Sequence, residues 1–558
     1  MSVDKKRTRE SRAAIERLYI TMRHLFLRGS YKPMGVSGKS LIEAMKVLNP
    51  EIYGVMSDHE RVELDGLLYV MERLPKGIEE CRFIKLIASE GFEGSGYELI
   101  IPPKRRRNCY RIDKERMYIE MTRGRSDIYD ILTHLTFLYI EASKIKDHAM
   151  TAKREIDEDW RRLEEVVEYE GRGKAFDEKR AIVYLSNIIG RTLEETRQAV
   201  EKFAQSSSSN SLYHIVYHLG RVAILEEKEK KDKGISFSAK LREIVGQHAF
   251  GTQWAQRIKD LLFEKGLMDR TKHIISANLH SVKNTLFGFE ALKEEQSYPS
   301  ISALAEATSA PENAPMREKI GVFAETHGLY EIQDNSGTNL TVQIIELDKI
   351  DPNHLPPDLN LKQFKNKEEV LIVMDYAFGE QAYECLDELL KPYERAELEY
   401  PMRVETVSIM GKAGILEGDK GDIMIPTAHV FEGTADNYPF DNQLSKEDFE
   451  GCGLQVFEGT MITVLGTSLQ NHDILAHFLE TTWNAVGLEM EGAHYQKAIQ
   501  SASRIRRSVD ENVKVFYAYY ASDNPLRTGS TLASGSLGAE GILPTYLITK
   551  KILEKVLG

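Results

Sequence analysis

The chain reads as an α/β protein: a central, mixed but largely parallel sheet flanked by helices over residues 316–558, preceded by a mainly α-helical amino-terminal region. Three observations lead there. Before about residue 300, apolar residues recur at helical spacing. Beyond about residue 316, short apolar runs alternate with helical patterns, as in sheets covered by helices. Between them, residues 296–317 hold Ser-Tyr-Pro-Ser, Thr-Ser-Ala-Pro and Asn-Ala-Pro-Met, the composition of a linker. The 558 residues exceed the roughly 250 to 300 at which a single core stops growing, so two or three domains are expected. The divisions fall at 1–110 (a mainly helical segment), 111–300 (a helical domain), 301–315 (the linker) and 316–558 (the α/β domain).

In chain order, helices are expected at 12–26 and 60–74, where apolar positions keep the helical period. A strongly apolar helix at 126–145 carries His134 and Glu141, with His148 beyond, all at heptad spacing on one side. His214 and His218 are likewise one turn apart. Such residues bind zinc or iron when another helix completes the shell, but no motif ties these helices together. Hydrogen-bonded core histidines are the expectation, with no metal and no cofactor. Residues 205–211, rich in serine, read as an interhelical loop or a helix cap. Helical patterns resume at 241–245, 254–263 and 274–286. Strands are then expected at 319–324, 340–347, 370–374, 406–410, 422–425, 460–464 and 513–521, with helices at 380–390, 472–483 and 539–556.

Composition narrows the function. A hydrophobic share of 42% beside 28% charged residues is that of an ordinary globular protein, and no apolar run reaches the ~20 residues of a membrane helix. The amino terminus has charge but no apolar core behind it, so no secretory signal is expected and a cytoplasmic location is. Cys81, Cys109, Cys385 and Cys452 are scattered, which fits a reducing compartment and supplies no zinc ligand set. A net charge of -13 argues against general nucleic-acid binding. The basic run Lys104-Arg-Arg-Arg107 is either a solvated loop or an anion patch. If Arg123, Arg125 and Lys144 share its face, a regulatory phosphate or nucleotide effector site results.

Two stretches carry the chemistry. The aromatic β-forming run 513–521 breaks into Ser522-Asp523-Asn524-Pro525, a buried strand delivering a carboxylate at its carboxyl end, where open α/β sheets put their sites. Before it stands Gly487-Leu-Glu-Met-Glu-Gly-Ala493, in which Glu489 and Glu491 flank Met490 at the mouth of a helix. On a helix these acids point about 200° apart, so one can face a ligand and the other the protein. Taken together and in this order, the two stretches resemble the nucleoside phosphorylase and nucleosidase superfamily. The continuation Ser522-Asp523-x-Pro525-Leu526-x-x-Gly529-x-x-Leu532 is most similar to AMP nucleosidase.

Four further points carry the resemblance over residues 316–558. Residues 409–416 with Gly421-Asp422 are similar to the family's glycine loop and following strand, in which Gly411 and Gly414 would let backbone amides approach a ligand. Phe378-Gly379 matches its glycine turn before a long helix. Gly459-Thr-Met-Ile-Thr-Val464 with Gly466-Thr-Ser-Leu469 looks like the strand whose end contacts the base. Ile320-Gly-Val-Phe-Ala-Glu325 resembles the first strand of methylthioadenosine nucleosidase, which ends near an acidic residue.

The resemblance implies a phosphorylase/hydrolase-like fold and cleavage of an N-ribosidic bond of a purine nucleotide or nucleoside, as in release of adenine and ribose 5-phosphate from AMP. Glu491 would hold the ribose hydroxyls and stabilise the cationic sugar. Met490 would pack under the ribose. Asp523 would protonate the departing purine. Glu489, Ser522, Gly379 and Leu469 are the remaining expected substrate contacts. Phosphorylases of the superfamily carry an arginine two positions before the central glycine, where this chain has Ile409, so water is the expected acceptor, with Glu325 as its base. Lys412 stands where a small hydroxyl or thiol residue is usual, and either binds a 5′-phosphate or fills that site. Arg527 is a second phosphate contact or an exposed arginine. A purine nucleoside phosphorylase and a non-catalytic nucleotide sensor are the alternatives. By analogy the protein is a homo-oligomer.

Overall fold

The structure, a computed structural model, describes residues 5–105, 107–206, 210–334, 336–361, 368–434, 436–528 and 538–558. The chain forms two compact units. The first comprises Met1–Thr122, Asp127–Gln247 and Ser468–Ile474, and the second Arg123–Ser126, His248–Thr467 and Leu475–Gly558.

The first unit is helical as expected, but it also contains a sheet the helical periodicity hid. Its strands are β1 (Ser30–Tyr31), β2 (Phe83–Ile87), β3 (Glu98–Ile100), β4 (Cys109–Arg111), β5 (Arg116–Glu120) and β6 (Gly234–Phe237), in the order β1-β6-β2-β5-β4-β3. All are two to five residues long, too short to impose a period on the pattern.

The second unit is built on a ten-stranded sheet. Its strands are β7 (Thr271–Ser276), β8 (Leu329–Ile332), β9 (Val342–Glu346), β10 (Glu369–Met374), β13 (Val404–Ile415), β14 (Ile423–Phe431), β15 (Asn437–Pro439), β16 (Val456–Thr463), β17 (Ala485–Glu489) and β18 (Lys514–Asp523), with a separate hairpin of β11 (Tyr393–Arg395) and β12 (Leu398–Tyr400). The sheet is mixed, as expected, but only half of its pairs are parallel: β7–β10, β7–β13, β13–β18, β14–β16 and β16–β17 are parallel, and five are antiparallel. Side-chain alternation builds a core on each face. Val370, Ile372 and Met374 of β10 pack with Trp254, Ile258, Leu386 and Ala498 from three helices. Leu371 and Val373 pack instead with Val282, Leu286, Leu304, Ile320 and Ile552 on the other face.

Three expectations are corrected. Residues 319–324 are not a strand but part of a helix, Ala314–Thr326. Pro315 suits its first turn, and Ile320 and Ala324, four apart, are buried while Val322 between them is exposed. The linker expected at 301–315 is the helix Ile301–Ser309, capped by Ser300, followed by the turn Pro311–Asn313 and the start of that next helix. The serines and prolines there are helix punctuation. The helix expected at 274–286 is strand β7 and then the helix Leu279–Leu292, with Asn278 as its cap. The second unit therefore takes in residues well before 316.

Candidate active site

The site is organised by β13. Early in its length β13 runs beside β7 and β18, and at its end Gly414 and Ile415 pair with β17. Gly414 is the register partner of Asp523 on one side and of Leu488 on the other. With adjacent strands about 4.8 Å apart, the ends of β17 and β18 lie roughly 10 Å from each other. Gly411 and Gly414, expected in a loop, are strand residues. The register slips between Ala413 and Gly414, so Ser522 becomes the extra residue of a bulge, a device that re-aims side chains at a strand end. Its hydroxyl donates to the Ala413 carbonyl at 3.1 Å and to Asp523 Oδ1 at 2.6 Å. Asp523, the last residue of β18, is buried.

Glu489, Met490 and Glu491 do not share a helix. Glu489 ends β17, and Glu491 is the residue before the helix Gly492–Gln500. Glu489 is buried, accepts from the Thr463 hydroxyl and from the amides of Glu491 and Gly492, and so caps the helix start from inside. Glu491 accepts from the Gly379 amide at 2.8 Å and from the Met490 amide at 3.2 Å. Gly379 has φ +57, and a Cβ there would stand 2.3 Å from Ser126 Oγ and 3.7 Å from Met490 Cε, so only glycine can bring its amide to Glu491. The Ser126 hydroxyl in turn accepts from the Glu380 amide at 2.9 Å.

Burial pushes Glu489 up to about 7 against the pull of the Thr463 hydroxyl and two amides. Burial, then the neighbouring charge of Glu489, pushes Glu491 up to about 8, opposed by the two amides and by Lys412. The acids expected to act apart are thus electrostatically joined, because a strand end followed by a helix cap brings them closer than two positions on one helix would.

Lys412 is an exposed residue among buried β13 neighbours and lines a cavity of about 600 Å³ together with Tyr520, Asn278, His280, Arg317 and Tyr546. It makes no ion pair among the described residues. Arg317, which also donates to the Thr308 and Ala310 carbonyls, and His280 went unnoticed in the sequence. Only their meeting with Lys412 marks them, and the strand β7 that brings the His280 helix here reads as helix.

The other expected residues fall elsewhere. Glu325 is exposed on the helix Ala314–Thr326, not at a strand end. Arg527 is an exposed residue paired with Asp419. Leu469 is buried within Ser468–Ile474, which belongs to the first unit. Gly529 and Leu532 of the motif lie outside the described residues. Among the described residues of and near the basic run, several cations are held in ion pairs: Arg105 with Asp130 at 3.1 Å, Arg107 with Asp127 at 2.6 Å and Asp130 at 2.7 Å, and Lys144 with Glu141 at 2.9 Å, while Arg125 pairs with Glu380 at 2.7 Å in the second unit. Arg106 lies outside the described residues. His134 has its Nδ1 2.8 Å from the Tyr53 hydroxyl, and His148 Nδ1 is 2.9 Å from the Ile188 carbonyl, so each of these histidines bonds a separate partner.

A protein-family profile described as a family of unknown function, DUF6909, matches residues 39–306 and again residues 302–558. No curated protein matches the chain in sequence. Among solved structures, it is similar to the 5′-methylthioadenosine/S-adenosyl homocysteine nucleosidase of Campylobacter jejuni, at 13% identity and a TM-score of 0.30 over 51% of this chain and 99% of that one. It is also similar to futalosine hydrolase of Helicobacter pylori, at 12% identity and a TM-score of 0.32 over 52% of this chain and 99% of that one.

Proposed function

The chain belongs to the family of unknown function DUF6909, and from that premise we propose that its second unit hydrolyses the N-ribosidic bond of a purine nucleoside or nucleotide. The observation that carries this reading is the double pairing of Gly414, which sets the strand ending in Asp523 and the strand leading to Glu491 on either side of one residue. The motif resemblance over the same residues supports it.

The chemistry follows from the environments. A carboxylate whose ionised form is penalised by burial gains most when positive charge develops beside it, and N-ribosidic cleavage creates that charge on the sugar. Glu491, raised to about 8 and already oriented by the Gly379 and Met490 amides, suits this role, with Glu489 fixing the helix start behind it. Met490 offers an apolar surface for the ribose. Asp523, positioned by the Ser522 hydroxyl, hands a proton to the departing purine so that it leaves neutral. Lys412, with Arg317 and His280 across the same cavity, favours a substrate bearing an anionic group such as a 5′-phosphate.

The same three cationic or imidazole side chains favour a second reading, in which inorganic phosphate replaces water as acceptor despite Ile409 standing where phosphorylases have arginine. Incubation with AMP, adenosine, inosine and methylthioadenosine, with and without phosphate, decides between them. Free base without phosphate supports hydrolysis, and a strict phosphate requirement supports phosphorolysis. Ligand binding without any product would leave a nucleotide sensor.

A further inference from the structure

We propose that Glu80, His214 and His218 in the first unit form a binding site for a divalent first-row transition-metal ion such as Zn²⁺. One potential ligand atom from each lies within 4.8 Å of the others. The two histidines stand at i and i+4 on the helix Leu212–Glu229, which Ser211 caps, so both project from the same face. Their ring centroids are 4.2 Å apart. Glu80 comes from the turn Ile78–Glu80 and brings its Oε1 to 3.0 Å from His214 Nε2. Metal bonds of about 2.0 to 2.2 Å set ligand atoms roughly 3 to 3.5 Å apart, so the cluster reaches coordinating geometry by small side-chain rotations.

The surroundings favour a cation over a plain hydrogen-bonded pair. Arg111 Nη2 donates to Glu80 Oε2 at 2.6 Å, which fixes that carboxylate and leaves Oε1 facing the histidines. Glu79 Oε1, oriented by Asn210 at 2.6 Å, is 3.6 Å from His214 Nε2 and within reach as a fourth ligand. Two imidazoles with a carboxylate are the donor set of zinc and its neighbours rather than of magnesium or calcium. His214 and Glu80 keep 24% and 25% of their side-chain surface exposed, so an ion can enter and retain water.

The test uses the full chain, stripped with a chelator and titrated with Zn²⁺ by calorimetry and with Co²⁺ by visible absorption. The expected result is one equivalent of saturable binding, weakened by about 10-fold or more in both His218→Ala and Glu80→Gln. Glu80→Gln preserves side-chain shape and carries the test should His218→Ala fail to fold. Wild-type affinity no tighter than that of Glu80→Gln, or tight binding untouched by either change, overturns the proposal.

Discussion

Asp127 and Asp130 in the first unit are 2% and 7% exposed, and Glu489 in the second is 3% exposed, yet their neighbours differ. Arg105 and Arg107 reach the two aspartates, and against burial Arg105, His134 and Arg107 hold Asp130 well below the usual carboxylate range. Among the described residues, Glu489 and Glu491 accept hydroxyl and amide hydrogens, and both are pushed upward. The first cluster is neutralised by arginines, while among the described residues the second is opposed by the Lys412 charge, which still leaves Glu491 raised. Buried acids of similar exposure can therefore be told apart as architecture or chemistry by what compensates them.

Changes at each cluster sharpen that contrast. Glu491→Gln should lower the rate of base release by about 10²- to 10³-fold with little loss of stability, because it removes a charge matched to the transition state. A thermal melt that collapses along with activity would instead make Glu491 structural. Arg107→Ala should destabilise the protein by about 3 to 5 kcal/mol in denaturant unfolding, since two buried carboxylates lose a partner. A stable variant would show that the first cluster is not compensated as described.

Glu489→Gln should act through pH. Removing the neighbouring charge lowers the proton affinity of Glu491, so the acid limb of the kcat/KM profile, set by its ionisation near about 8, should move to lower pH. The same change should flatten the stability profile. Both glutamates have folded pKa values raised above the unfolded value of 4.5, so the folded state holds extra protons and their stabilising contribution, full below that value, is lost as pH rises through about 7 to 8. A wild-type unfolding free energy that climbs across this window through these groups would contradict the assignment. The smallest effect is expected at Arg527→Ala, which breaks an exposed pair with Asp419 and should cost no more than about 1 kcal/mol without altering base release.

The sequence was legible where one strong local signal acted alone. β10 and β18 stand close to 370–374 and 513–521 because continuous apolar runs end in polar residues. Residues 319–324 misled because five residues of Ile-Gly-Val-Phe-Ala satisfy a buried strand as readily as one helical turn, and burial of Ile320 and Ala324 decided it. β7 merged with its helix because no glycine or proline separates Ser276 from Leu279. At the two clusters, motif order made Glu491 and Asp523 visible. The link between Glu489 and Glu491 was not, since it depends on the strand ending between them. Glu80 lies 134 positions from His214, and Arg317 lies far from Lys412, so only folding reveals either meeting.

The most direct measurement is chromatographic detection of free adenine from AMP, and of base from the unphosphorylated nucleosides, with the wild-type chain beside Asp523→Asn. The account predicts base release by the wild type and a fall of about 10²- to 10⁴-fold when the proton donor is removed, with the fold retained. Undiminished release by Asp523→Asn, or no release from any purine substrate by the wild type, would contradict it.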